Sequence, residues 1–236
     1  MPNLVRRSLA EAAGTFFLVL LGSGAIMVSD VTNNDHIGTI GVGFAFAFAI
    51  TALVYALGRV SGAHVNPAVT VALWSRRRFP GRDLPAYLIA QCAGAILASA
   101  ILRWIVGPVA DMGATVTVMP PVQSFTVEFL MSFFVLLTIL GVATQPGGAG
   151  GAGGIAIGLA YGVGTLIAAP FTRASLNPAR SFGPAVVGGE WAAHWIFWVA
   201  PIAGMVAAAW FYDFVRPAGA VPPGVRLGLQ GPLEEV

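Results

Sequence analysis

Six apolar segments, at about 8–29, 39–58, 84–106, 122–143, 153–171 and 191–214, fall into two sets of three, and the second set repeats the first. The stretch "AEAAGTFFLVLLG" (10–22) resembles "VEFLMSFFVLLTILG" (127–141), so that Glu11 answers to Glu128, 117 residues on. "GFAF" (43–46) resembles "GLAY" (158–161) at an offset of 115, and "AQCAGAILA" (90–98) resembles "APIAGMVAA" (200–208) at an offset of 110. The offsets shrink in order, as two copies with a few loop deletions would. A helix needs about 20 apolar residues to cross a hydrocarbon core of roughly 30 Å, and each segment reads as one crossing. Three is odd, so the second copy enters the membrane upside down relative to the first. This is an inverted repeat. The copies are expected at 1–110 and 111–216, followed by a disordered cytoplasmic tail at 217–236, rich in Pro and Gly and ending in Glu234-Glu235.

Composition agrees with a membrane solvent. Hydrophobic residues make up 57% of the chain and charged ones only 9%, well beyond the apolar share of an ordinary soluble domain. An unusually oily soluble all-α protein is the alternative. All 12 basic residues are Arg. The run Arg76-Arg77-Arg78 lies between apolar segments, where it reads as a cytoplasmic flank facing anionic headgroups; no nucleic-acid partner is expected. Cys92 is the single cysteine, which excludes an intramolecular disulfide and reads as a small buried hydrophobe. Arg6 and Arg7 precede an apolar run that mimics a signal peptide, but the run is too long for one and reads as a retained first span.

Arginine placement orients the chain. With both termini cytoplasmic, Arg6, Arg7, Arg59, Arg76, Arg77, Arg78, Arg82 and Arg216 lie inside. The opposite loops hold Arg173 and Arg180 with Asp30, Asp35, Asp111 and Glu190. The compactness of the chain suggests a bacterial inner (plasma) membrane. The glycine-rich loop at 144–154 reads as mobile.

Two shorter segments, about 66–75 and 177–187, are too short to span, and each opens on the same triplet. Asn66-Pro67-Ala68 stands in "SGAHVNPAVT" and Asn177-Pro178-Ala179 in "SLNPARSFGPA", 111 residues apart. Asn is a favoured N-cap, and Pro suits the first helical position because its missing N–H has no intrahelical partner there. Two half-helices therefore begin at the triplets and, by inversion, meet N-terminus to N-terminus near the midplane. Irregular backbone at that depth survives where protein covers it or where it lines a wet cavity. Carbonyls of Gly62, Ala63 and His64, and of Arg173, Ala174 and Ser175, would line such a cavity, with the Asn amides as donors at its centre. Both helix dipoles point their positive ends inward and oppose any cation. That suits a narrow pore for neutral molecules.

These motifs resemble the aquaporin (major intrinsic protein) family over roughly residues 6 to 215. The two triplet loops match the family's paired loops, and "AEAAGTF" matches its first helix. The resemblance implies an all-α integral membrane fold, with six transmembrane helices and two re-entrant half-helices in an inverted repeat, assembling as a homotetramer in membrane lipid. It places Arg180 in an outer constriction with Phe46, Thr165 and Ala174 as the other walls. An ionised Arg within a membrane costs about 2.5–3.5 kcal/mol on insertion scales, so it faces a cavity or a partner; a snorkelling interfacial Arg is the alternative. Strict water channels of the family carry His where this chain has Thr165, and the smaller side chain widens the constriction. Ser181, Ala185 and Phe197-Trp198 instead resemble the water-selective branch. The expectation is passage of water and small uncharged solutes, such as glycerol, urea, hydrogen peroxide or metalloid hydroxides like arsenite, with ions and protons excluded. A strict water channel is the alternative.

Glu11 and Glu128 are expected to accept hydrogen bonds from the re-entrant loops; as proton relays they would instead suit a secondary transporter. His64 either lines the cytoplasmic half of the pore or braces its loop. Arg173 is expected in solvent, with an effect on the extracellular mouth as the alternative. The small residues of "QCAGAILASA" and "PIAGMVAAA" read as close helix contacts. His36, His64 and His194 are far apart and no metal-ligand or nucleophile spacing occurs, so neither an enzyme nor a cofactor is expected.

Overall fold

The computed structural model describes residues 3–33, 35–144, 150–216, 218–223, 227–228 and 231–232. Asn3 opens the first helix by accepting the Arg6 amide on its side chain at 3.0 Å. Helix α1 (Leu4–Val31) is followed by α2 (Gly38–Ser61), the short α3 (Pro67–Ser75) and α4 (Leu84–Ile105). The second copy runs α5 (Pro121–Ala143), α6 (Gly153–Thr172), the short α7 (Pro178–Gly188) and α8 (Ile196–Val215). All six long helices are long and apolar enough to cross a membrane. The chain is a multi-pass integral membrane protein with the expected all-α architecture, and the one β feature among the described residues is a short antiparallel pairing of Leu227–Gly228 with Gly231–Pro232.

Packing follows the repeat. Helix α1 lies on α4 as α5 lies on α8, and α2 meets its counterpart α6. The half-helices cross between copies: α3 packs against α8 and α7 against α4. Glycines set the two equivalent crossings. A Cβ at Gly94 would collide with the Ala12 carbonyl, and one at Gly204 with the Phe129 carbonyl. Close backbone approach at small residues is how helices associate where lipid removes the hydrophobic drive.

The side that carries Arg76-Arg77-Arg78 departs from expectation in two places. Of the run Arg76-Arg77-Arg78, Arg77 alone is exposed. Arg78 is fully buried and pairs with Asp213 at 2.6 Å, while Arg76 reaches the same carboxylate and stacks 4.0 Å from the Trp210 ring. A carboxylate on α8 draws both guanidiniums inward instead of towards headgroups. The start of the tail expected to be disordered is docked as well. Arg78 Nη1 donates to the carbonyls of Val221 and Pro222, and the Val221 amide donates to the Thr144 carbonyl at 2.8 Å. Residues 233–236, with Glu234 and Glu235, lie outside the described residues, as do residues 145–149 of the glycine-rich loop; its remainder forms a 3-10 turn (Gly150–Ala152) and opens α6.

Candidate pore

Each re-entrant loop is built on one buried carboxylate. Glu11, on α1, accepts from the His64 amide at 2.9 Å and the Ser61 hydroxyl at 2.7 Å on one oxygen; the other takes the Val65 amide at 2.6 Å and the Gln91 amide at 2.8 Å. Glu128, on α5, accepts from the Ser175 amide at 2.8 Å and the Thr172 hydroxyl at 2.6 Å, and from the Leu176 amide at 2.8 Å. Both acids are fully buried. The loops need this support because their backbone is irregular: Ala63 and Val65 have φ of 49° and 43°, and Arg173, Ala174 and Leu176 have 54°, 53° and 52°. Non-glycine residues adopt the left-handed region only under constraint.

The triplets cap the half-helices as their chemistry dictates. Asn66 Oδ1 accepts the Ala68 amide at 2.8 Å; Asn177 Oδ1 accepts those of Ala179 at 3.0 Å and Arg180 at 3.3 Å. Pro67 and Pro178 take the first helical positions. Each Asn also ties its loop to the other. Asn66 Nδ2 donates to the Leu176 carbonyl and Asn177 Nδ2 to the Val65 carbonyl, both at 2.8 Å. One N–H of each amide is thus spent on the opposite loop.

Arg180 lies one turn into α7, fully buried. Its Nη1 donates to the Gly113 carbonyl at 2.8 Å and its Nη2 to the Arg173 carbonyl at 3.2 Å, while the guanidinium sits 5.4 Å from the Phe46 ring centre. Nε has no protein partner. Phe46 comes from α2 and Thr165 from the facing α6; these two and Ala174 are all buried. Several helical threonines, such as Thr51, Thr138 and Thr172, return their hydroxyls to the carbonyl four residues back, whereas Thr15 and Thr165 do not. The Thr165 hydroxyl is buried and makes no such bond.

Three details were not readable from the residues alone. His64 Nδ1 lies 3.1 Å from the Thr70 hydroxyl, and its ring packs on Phe79 and Tyr87, so the side chain braces its loop. The Ser175 carbonyl accepts from the Tyr161 hydroxyl at 3.3 Å; with Arg173 O bound to Arg180, two of the three carbonyls expected along the outer half carry protein partners. Arg173 itself does not simply sit in solvent. It pairs with Asp111 at 2.9 Å, because the loop after α4 brings that carboxylate to the same mouth. No cluster of metal-ligating side chains occurs among the described residues.

Two inverted sets of spans, with half-helices capped into each other's loops, define a membrane channel. The chain belongs to the major intrinsic protein family, whose profile it matches over residues 1–212. It is 42% identical to "Aquaporin NIP1-1" of Oryza sativa subsp. japonica over 213 residues, covering 90% of this chain and 75% of that one. Against "Nodulin-26" of Glycine max the identity is 43%, with 90% and 78% covered. Against the "Probable aquaporin AqpM" of Archaeoglobus fulgidus it is 41%, with 90% and 98% covered. Among solved structures, the aquaglyceroporin from Plasmodium falciparum matches with a TM-score of 0.73 over 90% of this chain and 97% of that one; at 22% identity it bears on the fold alone.

Proposed function

We propose that the chain is a passive channel for water and small uncharged polar solutes, glycerol among them, and that it excludes ions and protons. Its filter is formed by Phe46, Thr165, Ala174 and Arg180. The observation that carries the reading is that Arg180, fully buried at the start of α7, and Thr165, buried on α6, are among the groups that keep a polar atom without a protein partner, the Thr165 hydroxyl and Arg180 Nε. Buried polar groups normally find partners; a file of hydrogen-bonding solutes supplies them in transit. Thr165 is smaller than an imidazole and leaves room for a carbon-bearing solute. Water passage is supported by relatives whose names call them aquaporins.

Glu11 and Glu128 carry no coupling role in this reading, since all four carboxylate oxygens accept from the protein. The two repeats act as interlocking halves at 1–110 and 111–216, both termini face the cytoplasm, and four copies assemble in the bilayer with one pore each. The named relatives come from plants and an archaeon and lend no support to a bacterial inner membrane in particular.

The test is light scattering from proteoliposomes mixed with hyperosmotic glycerol. Fast shrinkage followed by reswelling faster than in empty liposomes is expected. Thr165→His should slow the reswelling about tenfold, equivalent to ~1.4 kcal/mol at the barrier, and spare the shrinkage. Reswelling no faster than in empty liposomes would replace this reading with a strict water channel.

A further inference from the structure

The two carbonyls that hold Arg180 are tied to each other. Arg180 Nη1 donates to Gly113 O, and Nη2 to Arg173 O. Arg173 in turn donates from its own Nη1 to Asp111 Oδ2 at 2.9 Å, two residues before Gly113. The contacts close a ring that runs from Arg180 to Gly113, back along the chain to Asp111, across to Arg173 and home to Arg180. The segment that presents Gly113 is an unfavourable piece of backbone. Ala110, Asp111 and Met112 have φ of 50°, 48° and 59°, and Gly113 has 68°. Left-handed conformations are disfavoured for residues with a Cβ, and a run of them persists only when its surroundings enforce it. Met112 provides the apolar hold, buried with Met27 and Leu102. Asp111 provides a polar hold through Arg173.

The ion pair also stands at the outer mouth. Arg173 lines a recess of about 260 Å³ together with Asp30, Ser29 and Thr39. Its side chain is 36% exposed and that of Asp111 54%. A pair this open is weakened by salt.

We propose that Asp111 and Arg173 are positioning residues for the filter: their ion pair fixes the outer loop that presents the Gly113 carbonyl to Arg180, and so sets how well the pore passes solutes larger than water. The inference rests on the channel reading above. When the tether is lost, the Gly113 carbonyl shifts and the buried Nη1 turns to the lumen for a partner. Arg173, released, has Asp30 as the remaining carboxylate of its recess. Both movements narrow the outer mouth, and a bulky solute loses more than water does. Because the tether is salt-sensitive, the solute-to-water ratio of the unmodified protein depends on ionic strength.

The experiment measures glycerol and water permeability of proteoliposomes with salt matched on both sides, from about 0.01 M to about 1 M, where the Debye length falls from about 30 Å to about 3 Å. In the unmodified protein the glycerol-to-water ratio should fall about threefold as salt rises, the scale of an exposed pair. Asp111→Asn should show the lowered ratio at all salt concentrations, and Asp111→Glu should retain the unmodified behaviour. Two results would overturn the proposal: a ratio in Asp111→Asn equal to that of the unmodified protein, or a salt response that both share. An unmodified protein that admits no glycerol replaces the solute reading with a strict water channel instead. The inference is then judged on the water phase, which Asp111→Asn should slow and Asp111→Glu should leave unchanged.

Discussion

Gln91 donates to Glu11 at 2.8 Å, and the residue that answers to it in the second copy, Pro201, has no donor to offer Glu128. The first loop's carboxylate therefore holds four protein donors and the second's three. Gln91 also reaches the Thr70 hydroxyl at 3.1 Å, the group that orients His64. Replacing Glu11 or Glu128 by Gln sets an amide N–H against backbone N–H groups. Each change should cost about 2–4 kcal/mol, and Gln91→Leu about 1–2 kcal/mol. Thermal unfolding of the purified variants gives the ranking, and a Gln91→Leu protein less stable than Glu11→Gln would contradict it.

Asn66 performs two tasks that one substitution separates. Aspartate keeps the cap acceptor for the Ala68 amide but cannot donate to the Leu176 carbonyl. Asn66→Asp should keep α3 and lose the cross-brace, with a stability loss of about 1–2 kcal/mol. Water permeability should drop in proteoliposomes that contain the same amount of protein. Unchanged water flux would mean that the brace is dispensable for conduction.

The glycine crossings should fail alike. Gly94→Ala and Gly204→Ala each drive a methyl into a facing carbonyl, whereas a Cβ at Gly141 meets nothing within 4 Å. Backbone cannot yield as a side-chain tip does, so the first two should lose at least about 1–3 kcal/mol while Gly141→Ala is neutral or slightly stabilising. Yield of monodisperse protein on gel filtration reports the outcome.

Just past the end of α3, Arg78 is fully buried with Asp213 as its carboxylate partner. Removing one member of a buried pair strands the other, at about 3–5 kcal/mol. Asp213→Asn, which leaves Arg78 without a carboxylate, should approach that loss; Arg78→Met should lose less because Arg76 still pairs with Asp213, and the double variant should lose less than the sum of the two. Additive losses would show that the two residues act separately.

Much of this arrangement was legible because its chemistry is local. An Asn-Pro step states its helix cap within three residues, and a pair of acids in otherwise apolar spans demands donors, which the nearby loops supply. The repeat made each such reading twice. What escaped were contacts between residues far apart with no echo in the other copy. Arg173 meets Asp111 at a separation of 62 residues, and Arg78 meets Asp213 at 135. Periodicity and capping rules say nothing about such pairs, and an arginine beside an apolar span looks solvent-facing until its partner is placed. The Asn cross-braces do repeat in both copies but escaped as well: each capping role is written in its own triplet, but the acceptor belongs to the other loop.

The packing of α3 on α8, and the bond from Asn66 to a carbonyl 110 residues later, fix the order in which the molecule can be completed during synthesis. When the ribosome has delivered the first three spans, α3 can meet α4 but has neither the α8 surface nor its brace. It must wait at the bilayer surface or in a provisional position until the final span is inserted. The nascent protein is therefore not half a channel at its midpoint. The junction of the two half-helices is complete only once α8 is in place.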